Sequence, residues 1–126
     1  MLDRRAIFLA VSCLEFAGVK KNSSHKKQTM EKFAILARVE AKAGKEEEVL
    51  AFLKSALPLA VGEPETVRWY ALKLGPLTFG IFDTFETSDG RTAHLNGQIA
   101  AALLANASQL LSKEPIIEMV DLIAIK

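Results

Sequence analysis

FGIFDTFETSDGRTAHL, residues 79–95, is the stretch from which the fold can be worked out. Its first half sets Phe79, Ile81, Asp83 and Phe85 against Gly80, Phe82 and Thr84, the period of two that a strand requires. Thr87 and Ser88 then offer hydroxyls that cap a helix, which the pattern carries through Leu95 before Asn96-Gly97 breaks it. Upstream, residues 66–74 read as a strand, and Gly75-Pro76 is a turn so short that the two strands must run antiparallel. Downstream, residues 98–112 put Ile99, Leu103, Ala107 and Leu110 on one helical stripe. Residues 116–125 then read as a closing strand.

The earlier half repeats this plan. Residues 32–41 alternate Phe33, Ile35, Ala37 and Val39 with Ala34, Leu36, Arg38 and Glu40. After Gly44, three acids, Glu46 to Glu48, suit the positive end of a helix dipole. Val49, Phe52, Leu53, Ala56, Leu57 and Ala60 follow at spacings of three and four. Pro58 falls in the last turns, where it removes a hydrogen bond and kinks the helix before Gly62. The order is βαββαβ, a ferredoxin-like α+β sandwich: a four-stranded antiparallel sheet with helices on one face. Both faces of the strands are rich in apolar residues, so the uncovered face calls for a partner. A symmetric homodimer, sheet against sheet, is the simplest one, and coverage by the N-terminal segment is the alternative.

The chain has 126 residues, half of them apolar and a quarter charged, which suits one globular domain. Residues 1–30 are expected to be a flexible or poorly ordered extension and residues 31–126 the domain. Six Lys or Arg against two acids lie within residues 1–29, leaving ten against thirteen in the remainder, so the domain is slightly acidic. That balance argues against a nucleic-acid footprint. The apolar run after Arg4 and Arg5 is interrupted by Glu15, too early to span a membrane and with no clean cleavage site following. The expectation is a cytoplasmic protein without a membrane partner. Cys13 has no second cysteine with which to form an internal disulfide, and His25 sits in a polar, basic linker.

FAILARVEAKAGKEEEVLAFL (residues 33–53), GEPETVRWYAL (62–72) and FGIFDTFETSDGRTAHL together resemble the antibiotic biosynthesis monooxygenase domain family of dimeric α/β-barrel proteins. The resemblance covers about residues 31–126. Ala43 stands where many members have Pro, and Glu65 where Gly is frequent. It implies a homodimer closing into an α/β barrel, and one of three kinds of function. Some members oxygenate phenols, anthrones or quinols with molecular oxygen and no metal or flavin. Others degrade haem, and others bind or isomerise small metabolites. The haem branch carries its axial histidine about ten residues beyond His94, where this chain has Leu104, so the iron would lack its anchoring bond.

No phosphate loop, Cys-His cluster, HExxH, GxSxG or EF-hand loop occurs, and neither a metal nor a cofactor is expected. Oxygenation without a cofactor requires a base to make an electron-rich anion, an aromatic-lined apolar site and a polar group for the developing oxyanion. His94 is the first catalytic candidate, because histidine titrates near neutrality. Its alternative is a half-buried or surface helix residue. Asp83 is the second, since it shares a face with three large apolar groups and burial would make it a stronger base. Its alternative is to reach water or pair with Arg91. Trp69 and Tyr70, on opposite strand faces, and Phe79, on the Asp83 face, are candidate substrate-binding aromatics; each is equally a core residue. Arg68 and Tyr70 share a face and would offer a cation and a hydroxyl to an anionic substrate. The expectation is therefore a monooxygenase acting on an electron-rich aromatic, with a non-catalytic dimeric binding or structural module as the alternative.

Overall fold

The computed structural model describes residues 30–126. The extension expected over residues 1–30, with Cys13 and His25, lies outside the described residues except for Met30. The elements run β1 (Phe33–Glu40), α1 (Glu46–Ser55), α2 (Leu57–Val61), β2 (Thr66–Lys73), β3 (Thr78–Phe85), α3 (Ser88–Leu95), α4 (Gln98–Leu110) and β4 (Ile116–Asp121). The strands form one sheet in the order β2-β3-β1-β4, every pair antiparallel, as the ferredoxin-like plan requires.

Alternation sorts the strand side chains. Ile35, Ala37 and Val39 of β1 and Phe79, Ile81 and Phe85 of β3 face the helices and are buried. Val49 and Leu53 of α1 and Leu103 of α4 complete this core. A smaller cluster of Ala56, Ala60 and Ile99 packs against Trp69. Each fully buried aliphatic or aromatic side chain contributes about 1.5–3 kcal/mol, so these two clusters hold the helices on the sheet. Gly80 lets the central strands approach: a Cβ there would meet the Ala37 carbonyl oxygen at 2.9 Å.

The loops follow from local chemistry. Gly44 has φ +88°, a conformation that side chains resist, and it opens the turn into α1. Pro58 stands in the first turn of α2 and has no N–H to donate backward, so the expected single helix divides at Ala56, whose backbone stays helical. Thr87 caps α3 by accepting a hydrogen bond from the Gly90 N–H at 2.9 Å.

Two elements end earlier than their patterns suggest. Leu111 leaves the helical conformation and pairs with Ala41, which buries its side chain, so α4 stops at Leu110. The closing strand stops at Asp121 because its partner begins at Phe33, the residue opposite it; one further bond, Leu122 N–H to the Lys32 carbonyl, ends the ladder. Ile123 beyond it is 98% exposed.

The face turned from the helices carries Leu36, Tyr70, Leu72, Phe82, Ile116 and Val120. Tyr70 stacks on Phe82 with ring centroids 6.4 Å apart. The Arg38–Glu118 and Arg68–Glu31 ion pairs interrupt this apolar surface. Among the described residues no helix is long and apolar enough to cross a membrane.

Candidate functional site

Two of the residues singled out from the sequence meet inside the molecule. Asp83 points from β3 toward the helices and is 0% exposed; His94, in the last turn of α3, is 8% exposed. His94 Nε2 lies 2.8 Å from Asp83 Oδ2. The distance is that of an ion pair, although neither oxygen of Asp83 meets a donor along a good hydrogen-bond direction. The Phe85 ring, 5.4 Å from the imidazole, closes one side.

The other nitrogen of His94 is taken by a residue that the sequence did not single out. Nδ1 lies 2.7 Å from Glu63 Oε1, and the same oxygen accepts from the Thr66 hydroxyl at 2.7 Å. Glu63 Oε2 lies toward Gly97, 3.5 Å from where a Cβ of that glycine would be. In the sequence Glu63 is only one residue of the GEPETVRWYAL stretch, with no pattern of its own. The signal for it is topological: the hairpin pairs Thr66 with Phe85. Residues just before β2 must then lie beside those just after β3.

Burial and charge pull these groups in opposite directions. Desolvation pushes the Asp83 carboxyl above its ordinary value, and the facing imidazole only partly offsets this. For His94 desolvation alone would lower the value, but the contacts with Asp83 and Glu63 outweigh it and raise it. His94 therefore keeps its proton to a higher pH than a free histidine does.

A groove of about 410 Å³ opens beside this trio, lined by Leu59, Glu63, Glu65, Gly90, His94 and Gln98 among others. Glu63, with a side chain 21% exposed, lines the groove beside the buried imidazole. The chain Glu63–His94–Asp83 thus runs from an accessible surface to an inaccessible carboxylate. Such an arrangement accepts a proton at the outer carboxylate and spreads the charge inward.

The other candidates stand elsewhere. Trp69 is opposite Asp83 across β2 and β3, but it lines a neighbouring pocket that shares only Thr66 with the groove. Its indole N–H is buried without a hydrogen-bond partner. Phe79 is 2% exposed and belongs to the core, so it forms a floor for the fold and not a wall of the groove. Arg68 and Tyr70 lie on the far face of the sheet, because alternate residues of β2 point to opposite sides; the Arg68 guanidinium pairs with Glu31 at 2.9 Å. Arg91 does not pair with Asp83. It donates to the Val120 carbonyl at 2.9 Å and lies 3.6 Å from Asp121. Leu104 is 60% exposed on α4 and offers no ligand for a haem iron.

No family model matches the chain, nor does any curated protein. Among solved structures, it is 57% identical to a protein of unknown function from Nitrosomonas europaea, with a TM-score of 0.76 over 79% of this chain and 96% of that one. A second Nitrosomonas europaea protein, provisionally named an antibiotic biosynthesis monooxygenase, is 13% identical, with a TM-score of 0.65 over 76% of this chain and 93% of that one. A Bacteroides thetaiotaomicron protein of unknown function, provisionally called an oxidoreductase, is 14% identical, with a TM-score of 0.62 over 75% of this chain and 100% of that one. At those lower identities the likeness is one of fold.

Proposed function

Since this chain belongs to the same family as the 57% identical Nitrosomonas europaea protein and has the ferredoxin-like fold of antibiotic biosynthesis monooxygenases, we propose that it is a cofactor-independent monooxygenase of an electron-rich aromatic. The substrate is a quinol, an anthrone or a related phenol. The observation that carries this reading is the Glu63–His94–Asp83 chain at the wall of a groove.

Glu63 takes a proton from the activated C–H or O–H, and His94, held by Asp83, stabilises the charge distribution that results. The substrate anion is then rich enough in electrons to reduce oxygen directly. For an activated methylene the balance is simple: the carbon loses two hydrogens and gains one oxygen atom as a carbonyl, while the second oxygen atom leaves as water. The relay returns protons to the peroxide oxygen that departs.

The working unit in this proposal is a homodimer formed through the open sheet face, whose apolar residues would otherwise remain in water.

Oxygen uptake with a panel of anthrones, quinols and catechols, with labelled oxygen followed into the product, tests the reaction. Uptake with one labelled atom in the product supports it, and a panel without turnover removes it. One observation favours a second reading, a non-catalytic binding or structural module: both nitrogens of His94 are engaged and Asp83 is wholly buried, as in a polar pin joining α3, β3 and the turn before β2. In that case His94→Ala would lower stability and leave no oxygen chemistry to lose.

A further inference from the structure

The charge of the groove is not set by the proton relay alone. Glu63 and Glu65 both line it, and among the described residues neither Lys nor Arg does. The charge on Glu63 faces His94, whereas Glu65 has no hydrogen bond or ion pair with any other described residue. Its side chain lies over α3: a Cβ added to Gly90 would stand 3.1 Å from Glu65 Oε1 and 3.2 Å from its Cβ. Glycine at position 90 therefore makes room for this carboxylate on the groove wall. The nearest arginine in sequence, Arg91, turns the other way, to Val120 and Asp121. Arg68, which would have suited an anionic substrate, is behind the sheet and paired with Glu31.

With Glu63 offset by His94, the carboxylate of Glu65, which has no partner among the described residues, leaves a negative potential that attracts cations and repels anions. Resting on the oxygenase site described above, we propose that Glu65 sets the charge class of the substrate. The groove takes an electron-rich phenol bearing an amine or another cationic group, and disfavours one bearing a carboxylate. The ring sits toward Glu63 and the cationic end toward Glu65. Discrimination arises as much from repulsion of the wrong charge as from attraction of the right one.

The test is binding, measured by titration calorimetry at low ionic strength on the full chain, so that it does not depend on turnover. Three probes share a ring and differ in charge: dopamine, 4-methylcatechol and 3,4-dihydroxyphenylacetate. The expected order is dopamine tightest and the carboxylate weakest, with about fivefold or more between dopamine and the neutral catechol, the scale of a partly exposed ion pair. Glu65→Gln should bring the dopamine to 4-methylcatechol affinity ratio close to one, and added salt should do the same in the wild type. Equal or tighter binding of the carboxylate would overturn the proposal, as would an unchanged ratio in Glu65→Gln or the failure of all three probes to bind. Binding in this order without oxygen uptake would instead preserve the charge selectivity and remove the oxygenase reading.

Discussion

His94 Nε2 lies 2.8 Å from Asp83 Oδ2, with the carboxylate sealed from solvent between β3 and α3. A carboxylate so placed is tolerable only while its cationic partner is present. His94→Ala should therefore destabilise the fold by about 3–5 kcal/mol, the usual result of stranding a buried charge. Adding Asp83→Asn to that variant removes the stranded charge and should recover about 1 kcal/mol or more. Urea unfolding of the two single variants and the double variant checks this; strictly additive effects would show that the two groups are not coupled.

Stability should fall as pH rises through neutrality. Asp83 and His94 both hold protons more tightly in the folded chain than at their ordinary values of 3.8 and 6.5. The folded state thus binds more protons, and the slope of unfolding free energy against pH is negative. The Asp83 contribution to this decline begins above 3.8. The stabilisation from His94 is complete below 6.5 and is lost as pH climbs through its raised value. Denaturant midpoints measured across this range should decline in the wild type, and the decline should be shallower in the Asp83→Asn, His94→Gln double variant.

The open sheet face makes a prediction about assembly. Tyr70 is 47% exposed there and stacks on Phe82, so Tyr70→Asp leaves the monomer core alone while placing a charge in the proposed interface. Sedimentation should give a dimer for the wild type and a shift toward monomer for the variant. A monomeric wild type would count against this use of the face.

Gly80 tests the sheet itself. A methyl group at that position meets the Ala37 carbonyl oxygen, part of the backbone of the neighbouring strand, at 2.9 Å. Gly80→Ala should lower stability by about 1–3 kcal/mol, the range for overpacking, as read from thermal or urea unfolding.

Much of this architecture was legible because strand alternation and helix periodicity are local. The face shared by Phe79, Ile81, Asp83 and Phe85 could be assigned from spacing alone, and so could the opposition of Trp69 and Tyr70. Where strands and helices stop was less legible. The closing strand ends at Asp121 because β1 offers nothing further to pair with, and apolar residues such as Ile123 and Ile125 give no sign of that. The site was half legible. Asp83 stood out as a carboxylate among large apolar groups and His94 as the one histidine of the domain. Their contact depends on how α3 crosses the sheet, and Glu63 joins them only through the pairing of β2 with β3. No pattern along the chain marks a contact between residues 31 positions apart.

Proton transfer through Glu63 is tested most directly by oxygen uptake in Glu63→Gln, compared with the wild type on the same electron-rich phenol. Glutamine keeps the size of the side chain and removes its basicity. The expected result is a fall in kcat of about a hundredfold or more, with the unfolding transition retained. In the wild type, kcat/KM should rise with pH above 6.5, as the raised His94 value requires. Turnover by Glu63→Gln at the wild-type rate would contradict the relay, and a wild type that consumes no oxygen with any such substrate would contradict the proposed reaction.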